Sequence, residues 1–138
     1  MNRYAISDLK IGHTESFSAT VSSEMLKNFR ELSGDINPLH NDENYARSRG
    51  YVGRVVFGML VASLYSTLAG VYLPGERCLL HEVNIKFKKP VFVGDTLTVS
   101  GTVADVSETF SRIEIDARIV NQCGETVNRA RIIAGIID

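Results

Sequence analysis

Asp35 and His40 lie five residues apart on a Pro-containing turn, in the segment Ser33-Gly34-Asp35-Ile36-Asn37-Pro38-Leu39-His40. An acid and an imidazole on one loop can share a single water or substrate proton. Histidine is the side chain whose ordinary pKa lies nearest neutrality, and a neighbouring carboxylate orients or charges it, so the pair suits general acid–base work. Asn37 is placed to fix the turn through its side-chain amide. Gly58 opens a long apolar segment predicted to be helical. At a helix start the backbone N–H groups are unpaired and the dipole is positive, which favours a developing oxyanion. Ser66, two turns further on, is a small packing residue that would orient Asp35 if the loop lies over that face. A plain structural reading stands beside each of these. Asp35 would brace the turn, His40 would be a surface residue, and Gly58 would relieve crowding where the helix meets a sheet.

The remaining reactive side chains lack such company. His13 and His81 read as structural. Cys78 and Cys123 are far apart, without metal-like spacing, and read as two reduced thiols of a cytosolic protein. No Gly-rich phosphate loop, metal-ligand cluster or serine nucleophile elbow is present. Lys86, Lys88 and Lys89 form a solvated strand face that could help hold phosphates. A formal net charge of -1 gives no reason to expect nucleic acid or an anionic membrane as partner. The 138 residues, 44% hydrophobic and 22% charged, suit one domain with one proper core spanning 1–138. The N-terminal residues show no secretory leader pattern, and Val55 to Val71 is too interrupted by Gly, Ser, Tyr and Thr for a membrane span. A cytoplasmic protein is expected.

The elements that must position these residues follow from period and punctuation. Thr14 to Val21 reads as a first strand. Ser22 or Ser23 caps a helix running to about Ser33, with Met25, Leu26, Phe29 and Leu32 as its buried stripe and Gly34 as its stop. Asp42 or Glu43 starts a short helix that Gly50 ends. The helix from about Met59 to Val71 is apolar nearly all round and should be enclosed by the protein. From Arg77 the period becomes two, giving four strands of about ten residues joined by short turns. That pattern predicts an antiparallel meander wrapped around the apolar helix, an α+β architecture.

These residues also carry a resemblance. The segment Leu32 to His40, then Gly58-Met59-Leu60, then Phe87, Pro90-Val91 and Gly94-Asp95, resembles the MaoC-like (R)-specific enoyl-CoA hydratases and hydroxyacyl dehydratases. The resemblance runs from about Ser22 onward. It implies a hot-dog fold, a long helix wrapped by a curved antiparallel sheet, and a homodimer whose sheets join edge to edge with acyl-thioester sites near the interface. It implies reversible addition of water to a trans-2-enoyl thioester, giving the (R)-3-hydroxyacyl thioester, with no cofactor beyond the CoA or acyl-carrier arm of the substrate. Asp35 and His40 take the catalytic roles, the Gly58 N–H the oxyanion, and Asn37 and Ser66 supporting ones. Phe57 and Met59 border the substrate pocket. One position departs: the family commonly has histidine where this chain has Phe57, which would dry or narrow the pocket. Two other readings fit the same residues, a hot-dog acyl-CoA thioesterase and a non-catalytic acyl-thioester-binding subunit.

Overall fold

The strand β1 (Thr14–Thr20) leads into helix α1 (Ser23–Ser33) through two residues, Val21 and Ser22. Ser22 is the N-cap, its hydroxyl accepting from Met25 N, and Gly34 closes the helix at φ 73°, a left-handed value that favours glycine. Three helices follow, α2 (Pro38–Asn41), α3 (Glu43–Ser48) and α4 (Gly58–Thr67), the last continuing as one π-helical turn to Tyr72. The strands β2 (Cys78–Phe87), β3 (Thr96–Ser107), β4 (Arg112–Val120) and β5 (Thr126–Ile136) complete the chain. This computed structural model describes residues 1–137.

All five strands form one antiparallel sheet in the order β1-β3-β4-β5-β2. Only β3, β4 and β5 are a meander. The expectation of four consecutive neighbours fails at β2, which pairs with β5 rather than β3, with Phe87 opposite Asn128. The segment from Lys88 to Asp95 is long enough to cross the end of the sheet. Val127 O receives the N–H groups of Lys88 and Lys89, and Val56 N donates to Val91 O.

The period-two pattern sorts the faces as expected. Leu97, Val99, Val103, Ile113, Ile115, Ala117, Ile119, Ala130, Ile132 and Ala134 are buried against Val61, Tyr65 and Leu68 of the α4 segment. The opposite face is wet and laced by polar pairs, such as Thr14 with Thr102 and Arg131 with Glu114. Burying so many branched side chains in one layer is the main favourable term of the fold.

Two burial expectations are corrected. In α1 only Leu26 is buried outright, Phe29 is half-buried, and Met25 and Leu32 face solvent, Leu32 with 85% of its surface exposed. The helix rests on the core along a narrower line than its apolar spacing implied. The helix α4 is not enclosed all round either. Met59, at 61% exposed, Ser63 and Ser66 form an open face.

Candidate active site

The turn between α1 and α3 is built from side chains that bond the nearest backbone. Asp35 Oδ1 accepts from Asn37 N at 3.0 Å, and Asn37 Oδ1 accepts from Leu39 N at 2.9 Å. Asn37 is therefore the N-cap of α2, with Pro38 in its first turn. Asn41 Nδ2 donates to the carbonyls of Asn37 (2.8 Å) and Asp35 (3.3 Å), closing the turn from the other side. Asp35 does brace the turn, as the structural reading held. Its Oδ2 takes no part in that bracing among the described residues.

The His40 side chain is not a free surface group. Its Nδ1 lies 2.7 Å from Val55 O, and Val55 N donates in turn to Leu39 O at 3.2 Å. A carbonyl can only accept, so Nδ1 carries the proton and the neutral ring keeps its lone pair on Nε2. The ring also packs on Phe57, centroids 4.4 Å apart, and Phe57 packs on Phe29 at 5.0 Å. Phe57 is thus a buried support for the imidazole as well as a wall of the site. The segment carrying Val55 is itself tied down. Glu43 bonds Arg47 by its side chain and Arg54 through the backbone N–H, and these bonds hold its carboxyl below the usual range.

Two cavities flank the start of α4. One, about 340 Å³, is lined by His40, Tyr51, Val61, Asn128 and, at its mouth, Lys88 and Lys89. The other, about 370 Å³, is lined by Phe29, Ser33, Asp35, Phe57 and Met59. Gly58 and Phe87 belong to both. A Cβ on Gly58 would stand 3.0 Å from the Phe87 ring, so glycine is what lets the strand end and the helix start approach. No side chain caps α4, because Phe57 at the N-cap has no acceptor to offer. Its first N–H groups are left to a ligand or to water. The packing role of Gly58 is therefore seen directly, and the uncapped helix start leaves its N–H available for the oxyanion role proposed below.

Asp35, His40, Gly58, Phe57 and Met59 line the cavities at this junction, while Asn37 lines neither and serves as the α2 cap between Asp35 and His40. Ser66 stands apart: it is exposed, lines neither cavity and makes no hydrogen bond to Asp35 within the chain. Sequence reasoning missed Phe29, Tyr51, Val55, Phe87 and Asn128. Of these Asn128 carried a signal, since it falls on the inward parity of Ala130, Ile132 and Ala134 and is polar.

A sheet curved around one helix, with a site at the helix N-terminus, defines the hot-dog class. Residues 10–122 match the MaoC like domain family, and the chain belongs to it. It is 35% identical to the (R)-specific enoyl-CoA hydratase of Aeromonas caviae over 116 residues, covering 84% of this chain and 87% of that one. The (R)-specific enoyl-CoA hydratase of Rhodospirillum rubrum is 38% identical over 96 residues, 70% of this chain and 67% of that protein. The solved (R)-hydratase of A. caviae superposes with a TM-score of 0.89 at 32% identity, covering 94% of this chain and 98% of that one.

Proposed function

We propose that this protein is a hydro-lyase that adds water to trans-2-enoyl thioesters to give (R)-3-hydroxyacyl thioesters, or runs the reverse dehydration. One observation carries the reading: the turn that holds Asp35 and His40 opens onto two cavities that meet at the uncapped start of α4. The A. caviae hydratase named above shares the fold over 94% of this chain.

The chemistry follows from the geometry. The thioester carbonyl accepts from the Gly58 N–H, and that bond strengthens as enolate charge develops. Asp35 and His40 hold the water. Nε2 of His40 has the free lone pair, so it takes the water's proton as the oxygen bonds C3. The Asp35–His40 pair then supplies a proton to C2 on the same face. No redox group is needed, because the oxidation levels of C2 and C3 change in opposite senses and cancel. The CoA or acyl-carrier arm belongs to the substrate.

A homodimer fits the open surfaces. The edge strand β2 is ten residues long, and Leu79 and Leu80 on it are exposed. A long apolar edge invites pairing with a second copy. The open Met59, Ser63 and Ser66 face of α4 would then become accessible to the partner, which is where Ser66 could support a site. Two unpaired cysteines fit a reducing cytoplasm.

The test is loss of the enoyl-thioester absorbance of crotonyl-CoA, with wild type beside Asp35→Asn and His40→Ala. Wild type should consume the band and give the (R)-3-hydroxy product, and each variant should be slower by roughly 10²–10⁴-fold. Release of free thiol instead would establish the thioesterase reading. Binding of acyl-CoA without turnover would establish a binding subunit.

A further inference from the structure

The core holds one buried polar side chain among the described residues, Asn128, with 1% of its surface exposed. It sits on β5 opposite Phe87 of β2, the residue that separates the two cavities, and lines the His40 cavity. Its Oδ1 accepts from the Tyr65 hydroxyl at 2.9 Å. Tyr65 is itself buried on α4, and burial pushes its phenol well above the ordinary value, so it stays a donor. With Oδ1 turned to the Tyr65 hydroxyl, Nδ2 is the end of the amide left over. Nδ2, with two N–H donors, finds no acceptor among the described residues.

A buried donor left unpaired is costly, and buried polar groups are normally satisfied. The Tyr65 bond accounts for Oδ1, since leucine here would strand the buried hydroxyl, but it leaves Nδ2 unexplained on an inward face that is otherwise apolar. Asn128 belongs to the lining of the His40 cavity, so the covered, unpaired donor lies beside the space that an incoming group would enter. We propose that Asn128 is a ligand-binding residue of the His40 cavity, its Nδ2 donating to a carbonyl-type oxygen of the acyl thioester. This rests on the hydratase reading and adds to it a determinant of which thioesters are accepted. The oxygen comes either from an amide of the pantetheine arm or from an oxygenated acyl chain. Both offer the same acceptor chemistry.

The experiment compares wild type with Asn128→Leu on three substrates. These are crotonyl-CoA, the crotonyl thioester of a simple alkanethiol, and an enoyl-CoA with an oxo group on its chain. Each substrate that carries the contacted oxygen should lose about tenfold in kcat/KM, mostly through KM, and any substrate without it clearly less. A larger loss on crotonyl-CoA than on the alkanethiol ester assigns the contact to the arm. A loss concentrated on the oxo substrate assigns it to the chain. Equal losses on all three, or none, overturn the proposal and make Asn128 a structural amide that holds a water. If Asn128→Leu does not fold, Tyr65→Phe carries the test. It frees Oδ1 and should give the same ranking at smaller amplitude, and a flat ranking again overturns the proposal. Wild type inactive on all three substrates would instead remove the hydratase reading and this inference with it.

Discussion

The Asp35–His40 turn and the three-stranded centre of the sheet are held together by different physics. From Ser33 to Asn41 most residues are exposed, and the bonds are short-range ones from Asp35, Asn37 and Asn41 to nearby backbone. In β3, β4 and β5 the inward side chains are almost wholly buried, and the partners are distant in sequence. The turn contributes little to global stability and much to geometry. The sheet does the opposite. Chemistry can thus be changed on the turn without unfolding the protein, while small volume changes in the sheet are felt everywhere.

The largest expected effect breaks function alone. Asp35→Asn should lower turnover by about 10²–10⁴-fold while moving the unfolding free energy by no more than roughly 0.5 kcal/mol. Urea titration beside the crotonyl-CoA assay checks both. A large stability loss would mean that the carboxylate is chiefly a brace. Next, Ile115→Ala in the centre of β4, where the side chain is fully buried, should cost about 2–5 kcal/mol. The residual folded fraction should keep its kcat, and a lowered kcat would show that the sheet tunes the site directly. Asn37→Ala sits between the two regimes. Losing the α2 cap should cost about 1 kcal/mol and should also slow turnover, because His40 rides on that helix. Hydrogen exchange confined to residues 38–41 would show that the damage is local.

The smallest effect belongs to the wet face. The Arg131 guanidinium bonds Glu114 and holds its carboxyl below the usual range. The folded state therefore favours the charged form. Its contribution is present above the unfolded carboxylate pKa and is lost as pH falls through the lower folded value. Glu114→Gln should flatten the acid side of the stability–pH curve by about 0.2–1 kcal/mol, read by thermal unfolding at a series of pH values.

The same division explains what the sequence disclosed. Local rules placed Ser22, Gly34, Asp42 and Gly50 at the ends of their helices, because a cap depends on neighbours a few residues away. Alternation marked the inward residues of β3 to β5 for a similar reason. The position of β2 was not legible, since nothing in Cys78–Phe87 distinguishes pairing with β3 from pairing with β5. The one-turn helix α2 is too short for any periodicity. The support of His40 by Val55 and Phe57 depends on two segments meeting in space. The family motif pointed to Asp35, His40 and Gly58 and already contained Phe87, and inward parity marked Asn128, but that these residues share two cavities becomes visible only once the sheet is assembled. Ser66 shows the reverse: a residue suggested by the motif that a single chain leaves outside the site.

The strand order also sets how this chain can reach its native state. Cys78 must find Ile136, and Thr14 must find Thr102, before either edge of the sheet exists. Such distant pairings pay their loop-closure entropy before they are rewarded. The β3–β4–β5 meander is the most local pairing in the sheet and is expected to form first, with β2, and the Phe87 wall beside Gly58 that it carries, docking afterwards. Until then the free edge of β5 and the Gly58 start of α4 stay uncovered, and that interval is when self-association competes with folding. The site is therefore assembled late, and mutations that slow the docking of β2 would lower the yield of active protein without altering the activity of each folded molecule.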